Sequence, residues 1–340
     1  MTSPDRYSVA NLRSAHPDLA TYLDLVDESI DQAFSQSVEG HSFDTAGMRD
    51  YAKGGKKVRS LSLILWAIGT ADPNPVQWDL VKSSAAAIEL AHRSTLVSDD
   101  IVDGQDIRNG RPTLRSSIGA PFAVLAASYM QATAIDICPE TCQMTLNRAI
   151  KLTQAGQIRQ HLQRFTSLDE VYRQNAEIVR WKASSFEFAA LSIASSIVGG
   201  QESAAIGEIA RYLGRAYQLC NDISDLSEWL HGGTKELPRD LTNRTFTYPI
   251  LLAMDVKRSP DAGVIFAFME GLRDVPKSSE LLAAFQKADI QHRVRQEIEH
   301  DLTQAHRLSA QYLRPGNAAE LFAACVTSIW KSQYLPAGAS

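Results

Sequence analysis

Two acidic clusters carry the chemistry most readily read from this sequence. Asp99, Asp100 and Asp103 close a long helically spaced run, VKSSAAAIELAHRSTLVSDDIVD over residues 81–103. A four-residue step sets Asp99 and Asp103 one turn apart on one helix face, where both carboxylates can grip one ion. Further along, Asn221, Asp222 and Asp225 repeat the i, i+1, i+4 spacing within QLCNDISD. Facing each other across a helical bundle, the two clusters make a cage of hard oxygen ligands, suited to Mg²⁺ that keeps water and bridges to a substrate phosphate. Either cluster alone is equally well a solvated helix face. Acids at a helix C-terminus oppose the helix dipole, however, so a bound cation is the better explanation of Asp99 to Asp103.

Basic residues alternate with these acids. GGKKVRS (54–60) sets Lys56, Lys57 and Arg59 beside two glycines, where a backbone can approach a phosphate. Arg108 and Arg111 fall in the turn-rich DIRNGRPT, Lys182 precedes an apolar run in VRWKASSFEFAALSIA, and Lys235 lies in HGGTKELPRD. Taken singly, each is an exposed charge. Interleaved with two acidic clusters, they point to a diphosphate held between metal ions and cations, which stabilise the negative charge that develops as it leaves.

The elements that must position these groups are helices. Apolar residues recur at helical spacing over 19–34, 60–71, 81–103 and 207–230, strand-like alternation is missing, and breaks fall at 72–75, 104–112, 199–200, 232–238 and 314–316. About a dozen helices are expected, in an all-α bundle forming one domain over 1–340, with the motifs in about 40–260, C-terminal helices to about 332 and a frayed LPAGAS tail. A composition 44% hydrophobic and 21% charged supports a large core. The net charge of −5 excludes general attraction to nucleic acid or to anionic membranes. No run reaches the roughly 18 apolar residues of a membrane span, and Asp5, Arg6 and Arg13 interrupt the N-terminal segment, so neither a leader nor a membrane anchor is expected. Four cysteines form no disulfide framework or metal motif, which suits a reducing, cytoplasmic location.

The ordered set GGKKVR, ELAHRSTLVSDDIVDGQDIRNGRPT, RWKASS, GRAYQLCNDISD and GGTKELPRDLTNRTFTYPI resembles the trans-isoprenyl diphosphate synthase (polyprenyl synthetase) family. The resemblance implies an isoprenoid-synthase bundle around a central cavity, a homodimer, and a Mg²⁺-dependent prenyltransferase that joins an allylic isoprenyl diphosphate to isopentenyl diphosphate. By this resemblance three Mg²⁺ ions accompany the bound diphosphate, held by Asp99, Asp100 and Asp103 on one side and Asn221, Asp222 and Asp225 on the other. Arg108, Lys182 and Lys235 match allylic diphosphate contacts, so that Asp99, Asp103, Lys182 and Lys235 are the expected catalytic set. Lys56, Arg59 and His92 match contacts to isopentenyl diphosphate, and Gln218 matches the Gln before the second acidic motif. His92 is alternatively a satisfied polar residue within its helix.

The departures concern the acceptor side. Asn109 replaces the second Arg of an Arg-Arg-Gly string, removing a charge and a bidentate donor, so isopentenyl diphosphate should bind more weakly. Asn221 replaces the first Asp of the second motif, where the resemblance implies a direct metal ligand; an amide carbonyl can still coordinate Mg²⁺, but without formal charge. Thr245 stands where Lys is common, beside Arg244; Ser60 replaces Pro, and Ser98 a frequent His. One turn before the first acidic cluster, Ser94 or Thr95 points down the cavity, and a small residue there predicts room for twenty carbons or more. Three readings remain open at this point: chain elongation, a terpene cyclase or irregular prenyltransferase using the same allylic site, and a non-catalytic subunit of a heteromeric synthase. Asp225 and Trp229 occupy the places of Ser and Glu in the metal triad of cyclases, so that triad is absent.

Overall fold

A computed structural model describes residues 17–36, 45–108, 110–200, 204–232, 236–255, 261–271 and 278–331. Among these residues the chain forms sixteen helices and a two-residue β-ribbon. The all-α expectation holds.

The elements that build the site are α1 (Pro17–Gln36), α2 (Ala46–Lys53), α3 (Val58–Thr70), α4 (Pro75–Val102), β1 (Ile107–Arg108), β2 (Arg111–Pro112), α5 (Leu114–Ile118), α6 (Ala120–Ile137), α7 (Glu140–Leu162), α8 (Leu168–Lys182), α9 (Ser184–Ile197) and α10 (Ala204–Leu230). The remainder are α11 (Arg239–Thr242), α12 (Tyr248–Met254), α13 (Ala262–Met269), α14 (Ser278–Lys287), α15 (Ile290–Ser309) and α16 (Asn317–Lys331). The excess over the expected dozen comes from pieces such as α5 and α11, whose four or five residues carry no full helical period.

Helix α4 begins where its sequence says it should. Asn74 accepts from the Gln77 amide N–H, the Gln77 side chain answers to the Asn74 N–H, and Pro75 occupies the first turn, where its missing donor costs nothing. The helix ends at Val102 with Asp103 as its C-cap. The 104–112 break becomes the antiparallel β1–β2 ribbon, with Arg108 opposite Arg111 and Gly110 supplying the positive φ of 73° in the turn.

Helix α9 is buried almost all round because α3, α4, α7 and α10 pack on it, which explains why SSFEFAALSIASSI is apolar with little regard to face. A break missed in the sequence falls at Ala183, between α8 and α9. Two glycines bring this break against its neighbours: a Cβ on Gly156 of α7 would lie 3.0 Å from the Lys182 backbone N, and one on Gly214 of α10 would lie 2.5 Å from the Ser184 Cα. With no side chain between them, the helices hold Lys182 between α4 and α10. One continuous apolar core runs through the described helices.

Candidate active site

A cavity of about 1890 Å³ opens at the C-terminal end of α4, and both acidic clusters line it. Asp99 and Asp103 enter from α4, and Gln218, Asn221, Asp222 and Asp225 from α10, while Lys56, Arg59, His92, Arg108 and Lys182 also face the space. The structure therefore brings together, in one cavity, residues that lie more than a hundred positions apart.

On the α4 side two cations already lie on the carboxylates. Lys182 Nζ donates to Asp99 Oδ1 at 2.9 Å and to Gln160 Oε1 at 3.0 Å. The Arg108 Nη2 donates to Asp99 Oδ2 at 3.2 Å. Burial raises the Asp99 carboxyl, but Lys182 and Arg108 outweigh it and hold the group below its ordinary value. Burial likewise opposes the charge of Lys182, which Asp99, Asp103 and Asp222 restore.

Among the described residues no cation pairs directly with the α10 carboxylates of the cavity. Burial, followed by repulsion from Asp225, pushes Asp222 up to about 7 even though Gln218 Nε2 donates to its Oδ1 at 2.7 Å. Asp240 on α11, which also lines the cavity, is driven well up by burial and then by Asp222 and Asp225. Asp103 is raised too, first by burial and then by Asp99. Among the described residues no three His, Cys, Asp or Glu side chains form a preassembled metal-holding group. The carboxylates stand in facing sets instead, and their mutual repulsion is what a dense divalent cation bridging them would relieve. The donor set thus fits hard cations such as Mg²⁺.

A second, more basic part of the cavity is built on α3 and α4. Arg59 is buried; its Nη1 donates to His92 Nε2 at 3.0 Å, and its guanidinium lies 4.2 Å from the centre of the Tyr217 ring. Since Arg can only donate, His92 Nε2 is the acceptor and the proton sits on Nδ1. Burial, then Arg59, Arg93 and Arg108, hold His92 well below its ordinary value, so the ring is neutral. Lys57 takes the left-handed conformation, φ 51°, at the start of α3 and pairs with Asp27 at 3.1 Å, while its neighbour Lys56 faces the cavity.

Several sequence expectations change. Asp100 is fully buried and turned away from the cavity: Arg108 Nε donates to its Oδ1 at 2.7 Å and the Tyr51 hydroxyl to its Oδ2 at 3.1 Å. One residue of helix rotates it about 100° from Asp99, so it anchors Arg108 and is not placed to ligate a metal in the cavity. Ser94 is also fully buried, its hydroxyl bonded to the Ala91 carbonyl, and it does not line the cavity; Thr95 does. Lys235 and Asn109 lie outside the described residues. Sequence reasoning missed Asp240, Arg239, Tyr217 and Gln160 as lining groups. For Asp240 the available signal was an acid within PRDLTNRT, next to the second acidic cluster in sequence.

Comparisons with known proteins bear on the family and the fold. The polyprenyl synthetase family model matches residues 44–286. Geranylgeranyl pyrophosphate synthase 11, chloroplastic, of Arabidopsis thaliana is 27% identical over 273 residues, covering 73% of this chain and 75% of that protein. Heptaprenyl diphosphate synthase component 2 of Geobacillus stearothermophilus is 26% identical over 287 residues, covering 82% of this chain and 86% of that one. Among solved structures, a decaprenyl diphosphate synthase from Rhodobacter capsulatus superimposes with a TM-score of 0.77 at 20% identity, covering 95% of this chain and 98% of that one. A polyprenyl synthase from Caulobacter crescentus CB15, complexed with calcium and isoprenyl diphosphate, gives 0.74 at 22% identity over 98% of each chain. The two structures establish the helical fold, and the family match, spanning well over half of the sequence, establishes that this chain belongs to the polyprenyl synthetase family of trans-prenyltransferases.

Proposed function

We propose that this chain ionises an allylic isoprenyl diphosphate and transfers the allyl group to isopentenyl diphosphate. The allylic C–O bond breaks, a new C–C bond forms, pyrophosphate leaves, and a proton is lost from the acceptor carbon skeleton. The observation that carries this reading is the pair of facing carboxylate sets around one cavity, with Lys182 and Arg108 bonded to one set and, among the described residues, no ion pair on the other.

Asp99 and Asp103 on α4, with Asp222 and Asp225 on α10, are the residues placed to hold Mg²⁺, and the Asn221 carbonyl is a neutral further ligand. When bound, the metal, three ions in the full reading, neutralises the charge of the departing diphosphate. Lys182 and Arg108 donate to Asp99 until a diphosphate arrives, and their N–H groups are then available to its oxygens. Lys235 joins this set on sequence grounds alone. Lys56, Arg59 and His92 hold the second diphosphate, with neutral His92 fixing Arg59 in place.

Thr95 supports a product of twenty carbons or more, since it is small and lies on the cavity wall one turn before Asp99. The exposed pair Phe122 and Leu125, three residues apart on one face of α6, supports a homodimer, which light scattering tests directly. No helix among the described residues is long and apolar enough to cross a membrane, and the four cysteines are free and buried, which supports a reducing cytoplasmic location. The unbroken core supports a single domain.

The test is incubation of the purified chain and Mg²⁺ with farnesyl or geranylgeranyl diphosphate, with and without isopentenyl diphosphate. Longer prenyl diphosphates formed only with the co-substrate are expected. Hydrocarbons or alcohols formed without it would establish the cyclase or irregular reading, which the neutral Asn221 on the cavity wall favours. Binding of the allylic diphosphate with no product of either kind would establish a non-catalytic role.

A further inference from the structure

Behind the second subsite lies a carboxylate that no part of the reaction above uses. Glu187, on α9, is fully buried, and its Oε1 is 3.3 Å from Arg59 Nε. Among the described residues neither Glu187 oxygen accepts a hydrogen bond and Arg59 Nε makes none, so the contact is one of charge without directed bonding. Arg59, His92 and Tyr217 line the cavity, whereas Glu187 does not. The carboxylate therefore touches the subsite only through the cation it faces.

An unbonded buried carboxylate is costly, and its position here has a definite electrical consequence. Burial opposes the charge of Arg59, and Tyr217, Glu187 and Glu89 restore it. Of these, Glu187 lies behind Arg59 and off the cavity wall; burial pushes its carboxyl up and Arg59 draws it back, so the carboxylate and the guanidinium offset each other and less of the cation's field reaches a ligand. His92, which binds Arg59 from the cavity side, is neutral and adds no charge. The subsite keeps Lys56 and the donors of Arg59, while the charge of Arg59 is offset from behind.

We propose that Glu187 is a specificity-determining positioning residue, which holds Arg59 in place while neutralising it and thereby weakens the grip of the second subsite on a diphosphate head. This rests on the reading that Lys56, Arg59 and His92 form the acceptor subsite. The carboxylate acts on the charge preference of that subsite and leaves the allylic half, where Lys182 and Arg108 pair with Asp99 on α4, untouched.

The experiment uses the full chain with Mg²⁺ and compares the wild type with Glu187→Gln, Glu187→Leu and Glu187→Asp. Glu187→Gln keeps the volume and an acceptor oxygen facing Arg59, so it is the variant to rely on if Glu187→Leu fails to fold. Both neutral variants are expected to lower the KM for isopentenyl diphosphate about tenfold, with kcat and the KM for farnesyl diphosphate within about twofold of wild type. Glu187→Asp should stay near the wild-type value, because it keeps the charge. A packing role alone would move kcat and both KM values together. An unchanged or raised KM for isopentenyl diphosphate in folded Glu187→Gln overturns the proposal. Calorimetric titration of the same proteins with isopentenyl diphosphate reads the same affinity ratio without turnover. If wild type neither binds nor converts farnesyl diphosphate, the allylic reading has failed, while the titration still decides the role of Glu187.

Discussion

Replacing Asp222 by Asn should make the metal-free protein more stable, and the gain should depend on pH in a defined direction. Asp222 is buried on α10 and its carboxyl is raised from 3.8 to about 7, first by burial and then by Asp225. A carboxyl raised on folding binds its proton more tightly in the native state than in the unfolded chain. Its contribution is therefore neutral below about pH 4 and turns against folding as pH climbs to about 7, beyond which the penalty is constant. Three pK units at about 1.36 kcal/mol each set the full penalty at about 4 kcal/mol. The Asn carbonyl still accepts from Gln218 Nε2, now 2.7 Å from Asp222 Oδ1, and Lys182 keeps Asp99, while the bond from the Tyr248 backbone is weakened and takes part of the gain. Asp222→Asn should thus match wild type within about 0.5 kcal/mol at pH 4 and exceed it by about 2 to 4 kcal/mol at pH 8. The assay is urea unfolding of both proteins in EDTA across that range. His92, which is neutral in the fold and charges in the unfolded chain at low pH, adds an opposite trend, but it is common to both proteins and cancels in the difference. Adding Mg²⁺ at pH 8 should raise wild type more than the variant and narrow the gap. A variant no more stable than wild type at pH 8, or a difference that does not change with pH, would refute the idea that these carboxylates crowd one another.

Other outcomes follow from the same geometry. Arg108→Ala leaves Asp100 buried without its guanidinium partner and should cost about 3 kcal/mol in chemical denaturation. Asp100→Asn in that background should recover most of the loss, since the uncompensated charge is gone; no recovery would place the cost elsewhere. Lys182→Ala should reduce kcat/KM for the allylic diphosphate by about 10² or more, and EDTA should abolish product formation with recovery on adding Mg²⁺, both read by product chromatography. Thr95→Phe should shorten the longest product while Ser94→Phe, which enters the packed core, should lower the thermal midpoint instead.

Legibility in the sequence followed the range of the interaction that decides each feature. The start of α4 could be read locally because the Asn74–Gln77 capping box and Pro75 act within one turn. The i, i+4 rule also identified Asp99 and Asp103 as sharing a face, and extended one turn back it selects Thr95 over Ser94. The same rule turns Asp100 away, yet only its pairing with Tyr51 of α2 and Arg108 of β1 shows that the third acid of the motif braces the site. Lys182 looked like an isolated cation because its partner Asp99 lies on another helix, and the contact needs the glycine approaches at Gly156 and Gly214. Glu187 was the hardest to foresee. A lone carboxylate in the apolar run of α9 was a visible anomaly, but its meaning lay in Arg59, on a helix distant in sequence. Charges that a local rule finds misplaced, such as an acid at a helix C-terminus or a Glu in an apolar helix, are here the ones with long-range partners. For this cavity those misfits, more than the match to any motif, distinguish a part with cations already on a carboxylate, Lys182 and Arg108 on Asp99, from a part where a buried carboxylate faces Arg59 from behind.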